Sequence, residues 1–195
     1  MTCSKSMLLG LLVLVFGLTL LLYNPTPLPK PLPKPPIVLP TPIVKSTDGD
    51  ILFWQDGLLV KPILKHTGSH LTHAAILIDG YIYEAVPPRV HKVLLADYIK
   101  EMKAKKRSDF RWFVMEPNEP YSKAEVNKMR KYLESQLGRP YMLRGWWKGR
   151  EVRGIFCSQL VGNAIEKTGR IESSNFHESP GSLYKKIVPI YTRQP

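Results

Sequence analysis

Cysteine is scarce in this chain: its 195 residues contain two, Cys3 and Cys157. They lie on opposite sides of a long apolar run, which excludes a disulfide-stapled scaffold and leaves Cys157 as a free thiol. Neither has a neighbour at zinc-finger spacing. Acidic residues are absent until Asp48. No charge interrupts residues 7–23, MLLGLLVLVFGLTLLLY, and no small-x-small cleavage site or lipid-attachment cysteine follows them. Leu21, Leu22 and Tyr23 are all large, so residues 1–23 are expected to be an uncleaved N-terminal membrane anchor rather than a removed signal. A helix over 7–23 would be ~25 Å long, slightly short of a hydrocarbon core of ~30 Å. Lys5 on one side competes with Lys30 and Lys34 on the other, so charge assigns no orientation.

Proline then dominates. Residues 24–44, NPTPLPKPLPKPPIVLPTPIV, cannot form a helix or most sheet pairings and favour polyproline II. A linker over 24–45 would act as a semi-rigid stalk of up to ~60 Å. Residues 46–195 suffice for one domain with a real core. They carry all sixteen acidic residues and twenty-four of the twenty-eight basic ones, a formal +8. Basic side chains concentrate in KEMKAKKR (100–107) and RGWWKGREVR (144–153), the second containing Trp146 and Trp147. Such patches suit anionic lipid or an acidic substrate. Specific nucleic-acid binding is not expected: the chain has no recognition helix, zinc spacing or RNA-binding aromatic signature.

Along the domain, Asp48-Gly49-Asp50 reads as a turn, Ile51–Trp54 as a short buried strand, and 55–71 as loop with a helical turn. Thr72–Ile78 and Tyr81–Val86 flank Asp79-Gly80, the strongest short hairpin signal. A strand over Val90–Leu95, a basic helix over Ala96–Lys106 and a strand over Phe110–Met115 follow. Ser122-Lys-Ala-Glu125 is a capping box opening a helix that Gly138 closes. The tail, with Ser179-Pro-Gly181 and Ile187–Tyr191, is expected to add a final strand. No internal repeat is present, and the pattern is α+β.

The hairpin places two polar residues together. With a two-residue turn, Ile78 opposes Tyr81, Ile76 opposes Tyr83 and Ala75 opposes Glu84. His73 and Glu84 then share a face as diagonal neighbours, about 7–8 Å apart at the backbone. This is the geometry of a carboxylate orienting an imidazole. A histidine at a strand start is commonly only a structural hydrogen-bonder, but a carboxylate in an apolar strand needs a partner. Cys157 opens a helical pattern that runs to about Thr168, with Leu160, Val161, Ala164 and Ile165 on its face and Gly169 as the cap. Gln159, Asn163, Glu166 and Lys167 fall elsewhere. A cysteine on an apolar helix face is most often a small buried hydrophobe; in the first turn, however, the helix end favours a thiolate.

His66, His70 and His73 are spaced four and three apart, which on a helix would form a ligand face. Gly68 interrupts that run and His73 belongs to a strand, so neither a metal site nor any cofactor is expected.

Taken in order, Gly49-Asp-Ile-Leu-Phe-Trp54, Thr72-His-Ala-Ala-Ile76, Tyr83-Glu-Ala85, Gly138-Arg-Pro-Tyr141, Phe156-Cys-Ser-Gln-Leu-Val161 and a late Ser-Pro-Gly-Ser-Leu resemble the YiiX/YebB-like group. These are circularly permuted relatives of the NlpC-type, papain-like thiol hydrolases, with the histidine strand before the cysteine helix. The resemblance covers about residues 48–185 and implies a permuted papain-like fold whose antiparallel sheet packs on the cysteine helix. It further implies Cys157 as nucleophile, His73 as general base and Glu84 as its orienting carboxylate. The family often has Cys-Ser-Glu where this chain has Cys157-Ser-Gln159. The expected function is a membrane-tethered hydrolase or acyltransferase that cleaves an amide or ester in a peptide, peptidoglycan or lipid. The backbone N–H of Cys157 is the expected first oxyanion donor. The alternative is a non-catalytic binding module on the same fold. Oligomeric state is left open.

Overall fold

The structure, a computed structural model, describes residues 46–55, 64–65, 67–104, 111–142, 153–172 and 178–194. The expected anchor, the proline-rich stalk, Lys105–Arg107, His66 and the Trp146–Trp147 pair lie outside the described residues. Among the described residues no helix is long and apolar enough to cross a membrane.

Six strands form one antiparallel sheet: β1 (Ile51–Gln55), β2 (His73–Ile78), β3 (Tyr81–Val86), β4 (Arg89–Leu94), β5 (Arg111–Pro117) and β6 (Tyr191–Arg193). Their order across the sheet is β4-β3-β2-β1-β5-β6. The helices described are α1 (Leu95–Ala104), α2 (Lys123–Gln136), α3 (Cys157–Glu166) and α4 (Pro180–Ile187).

The β2–β3 hairpin takes the expected register, with Ile76 opposite Tyr83 and Ile78 opposite Tyr81. Asp79 and Gly80 have φ of 50° and 76°, the two positive values that a type I′ turn demands. Residues of β2 alternate between the two faces of the sheet. Ala74, Ile76 and Ile78 enter the larger core with α2 (Met129, Leu133), α3 (Leu160, Val161, Ala164, Ile165) and α4 (Leu183, Ile187). Ala75 and Leu77 face the other way, into a smaller core with Leu52, Trp54, Ile82 and the α1 residues Tyr98 and Met102. Both faces of β2 are covered, which explains why its sequence is apolar from Ala74 to Ile78.

The capping box at Ser122 and Glu125 is formed in both directions, and α2 stops before Gly138 at φ 78°. Three expectations need correction. Helix α3 ends at Glu166 rather than Thr168, and Thr168 and Gly169 close it with turn bonds to Ile165 and Glu166. It is buried nearly all round, Gln159 included, because the sheet, α2 and α4 surround it where a one-sided helix was expected. The tail is a helix before it is a strand: Ser179 caps α4 by accepting from the Ser182 N–H, and Pro180 sits in its first turn, where its fixed φ suits a helix start. The final strand begins only at Tyr191.

Candidate active site

The site forms where the start of β2 meets the start of α3. Thr72 fixes the entry to β2: its N–H and its hydroxyl both donate to the Trp54 carbonyl, at 2.9 and 3.2 Å. His73 follows, paired across the strands with Trp54, whose indole lies 3.8 Å from the imidazole, centroid to centroid. On the neighbouring strand Glu84 sits on the same face, and its Oε2 is 3.1 Å from His73 Nε2. Both residues are 7% exposed. The diagonal pair counted from the hairpin is therefore in hydrogen-bond contact.

Cys157 reaches the ring from the other core. Phe156, the residue before α3, is extended (φ −118°, ψ 169°) and provides no side-chain cap. First-turn N–H groups have no partner within their own helix, and here no capping side chain meets them either. The Ser158 hydroxyl anchors this end by donating to the Glu178 carbonyl at 2.5 Å, and the Glu178 carboxylate is held by Lys186 at 2.9 Å. So placed, Cys157 is 4% exposed, and the His73 ring and the backbone N–H groups of Ala74 and Ser158 are near enough to act on its sulfur. Because Glu84 occupies Nε2, the ring nitrogen left for the sulfur is Nδ1.

The electrostatics favour charge separation. Burial pushes the Cys157 thiol up, but the imidazolium of His73 and the two backbone donors outweigh it and leave the thiol below its ordinary value. Burial pushes His73 down, and the opposing charges of Cys157 and Glu84 carry it the other way, to about 9. Glu84, resisted by burial, is held below the usual carboxylate range by His73 and His91. Between the two shifted values the stable form is thiolate beside imidazolium, which is the form a thiol nucleophile needs.

Three further residues shape the site without having been given a role in the sequence. His91 on β4 lies directly opposite Glu84, with its Nε2 3.0 Å from Oε1. Tyr98 of α1 directs its hydroxyl at Oε2 from 3.5 Å, and burial followed by the Glu84 charge keeps that phenol protonated. Tyr141 is near enough to Cys157 for burial and then the thiolate charge to raise its phenol above the ordinary value. His91 had a usable signal: pairing Val86 with Arg89 across Pro87-Pro88 puts Glu84 opposite His91 by counting. Tyr141 was marked only as the end of the Gly138-Arg-Pro-Tyr motif and given no role, and Tyr98 had no signal, since long-range packing brings both to the site. Among the described residues no group of three or more His, Cys, Asp or Glu side chains is placed to hold a metal ion.

An α+β domain with a six-stranded antiparallel sheet and a thiol-imidazole-carboxylate cluster is thus defined. No protein-family model matches the chain, and no curated protein matches it. Among solved structures it is similar to the metalloprotein YiiX from Escherichia coli O157:H7 (DUF1105), with a TM-score of 0.56 and 20% identity over 76% of this chain and 96% of that one. The fold is YiiX-like.

Proposed function

We propose that the domain is a cysteine hydrolase or acyltransferase of the permuted NlpC-type, papain-like kind, acting on an amide or ester bond. One observation carries this reading: a helix-start thiol lies beside a buried imidazole that a buried carboxylate holds by one nitrogen at 3.1 Å. Cys157 is the nucleophile, His73 the acid and base, and Glu84 the group that orients the ring. The thiolate attacks the substrate carbonyl, forming a carbon–sulfur bond, and the first-turn N–H of Cys157 receives the developing oxyanion. His73 gives its proton to the departing amine or alcohol as the thioester forms. The same imidazole then takes a proton from water or an acceptor hydroxyl, whose oxygen displaces the thiolate. Residues 7–23 would tether the domain to a membrane and 24–45 would space it from the surface, which suits a peptide or lipid substrate near a bilayer.

YiiX is described as a metalloprotein, and this chain's site does not fit that role. Both Glu84 oxygens are already bonded to histidines, and no described cluster offers three ligands. No step of the proposed reaction runs through a metal.

The test is acyl-enzyme formation with activated ester and amide probes, read as an adduct mass on Cys157. Wild type should label; Cys157→Ser and His73→Ala should not. A Cys157 adduct that forms undiminished in folded His73→Ala, or a domain adduct at another residue that forms in Cys157→Ser at the wild-type yield, would remove the reading. Folded wild type that never labels would favour a binding module on the same fold.

A further inference from the structure

We infer that His91 is a positioning residue for the proposed triad: it clamps Glu84 from the side opposite His73, so that the carboxylate stays aligned on the imidazole. This rests on the thiol-hydrolase reading and adds a fourth residue to it.

The two oxygens of Glu84 are divided between two rings. Oε2 meets His73 Nε2 at 3.1 Å, and Oε1 meets His91 Nε2 at 3.0 Å. An ionised carboxylate only accepts, so both nitrogens must carry hydrogens. Tyr98, from α1, adds a long 3.5 Å bond, and it goes to Oε2 rather than Oε1. Among the described residues His91 is therefore the side chain that donates to Oε1. Its backbone is fixed as the cross-strand partner of Glu84, so the clamp is built into the β3–β4 register.

Exposure separates this histidine from the other. Cys157, His73 and Glu84 are nearly sealed, whereas the His91 side chain is 43% exposed. Charged and titratable groups around the clamp are Glu84 on β3, His73 on β2, and Tyr98 with Glu101 behind it on α1. Lys92, next on β4, is turned to the other face and pairs with Glu134 at 2.6 Å. A half-exposed ring on an edge strand has no core-packing reason to sit on a buried carboxylate. Without it, Oε1 loses a charge-assisted bond, and the carboxylate can rotate off His73 or take up a proton.

The experiment alkylates full-length protein with iodoacetamide across pH and reads the Cys157 peptide by mass spectrometry, apart from Cys3. Thermal melts are run alongside on wild type, His91→Ala, His91→Met and His91→Gln. Wild type should alkylate with a midpoint below the ~8.5 of a free thiol. In His91→Ala and His91→Met, which lack a donor, the midpoint should rise by about one unit, a roughly tenfold smaller thiolate fraction at neutral pH. His91→Gln, whose amide N–H replaces Nε2–H, should return it towards wild type. An unchanged midpoint in the folded donor-less variants would overturn the clamp, as would a folded His91→Gln no better than His91→Met. A wild-type midpoint at the free-thiol value would instead overturn the triad reading itself. The two failures are therefore distinguishable.

Discussion

Glu84→Gln is the sharpest single perturbation of the site. Glutamine keeps the shape of the side chain but removes its charge, and its amide nitrogen becomes a donor where the carboxylate only accepted. One accepting oxygen then remains where there were two. It can accept from His73 Nε2–H while the amide N–H₂ turns to His91, which is half-exposed and free to present a lone pair. The fold should therefore persist. The imidazolium, however, loses a charge-assisted hydrogen bond worth roughly 1.5–3 kcal/mol. At ~1.4 kcal/mol per unit this brings His73 down by about one to two units. Wild-type His73 stands at about 9, so the variant's alkaline limit should fall to ~7–8. The sign follows from the ion pair: thiolate-imidazolium exists above the lowered Cys157 value and disappears as pH rises through that of His73. Acylation by an activated ester, followed from pH 5 to 10, should give a bell for wild type and a bell cut short on its alkaline side for Glu84→Gln. A variant bell with the wild-type alkaline limb and height would refute the assignment of Glu84 as the group that stabilises the charged ring.

Two other outcomes follow from the same geometry. Asp50 is buried with its Oδ1 unpartnered, and burial, ahead of the like charges of Glu116 and Asp48 and against the Thr47 N–H, raises its carboxyl from 3.8 to about 7. A carboxyl raised on folding destabilises increasingly from pH ~4 upwards and by a constant amount above 7, so Asp50→Asn should gain about 1–3 kcal/mol at pH 8 and nothing at pH 4. Urea melts at the two pH values check this, and equal effects at both would contradict it. In Gly154→Ala the new Cβ would collide with Met142 Cβ and lie 2.7 Å from the Pro140 carbonyl, so the segment carrying Tyr141 must move. A loss of about 1–3 kcal/mol is expected in a denaturant melt, together with slower Cys157 alkylation, and an unperturbed melt would show that the strand contact yields freely.

Local rules made much of this molecule legible before any coordinates. Asp79-Gly80 fixed a two-residue turn, the turn fixed the parity, and the parity brought His73 and Glu84 together. Ser122 and Glu125 marked the start of α2 through side-chain to backbone bonds that span three residues. Other features were decided by contacts distant in sequence. Ser179-Pro180 was compatible with turn or helix, and packing of Leu183 and Ile187 into the larger core selected helix. The burial of Gln159 depends on α2 and α4 closing around α3, which no periodicity within the helix records. The meeting of Cys157 with His73 spans 84 positions: the sequence identified both groups, but only the antiparallel sheet and the helix packed on it decided that sulfur and ring lie side by side. Periodicity reports the face a side chain takes within its own element, whereas distances between elements come from the packing of whole cores.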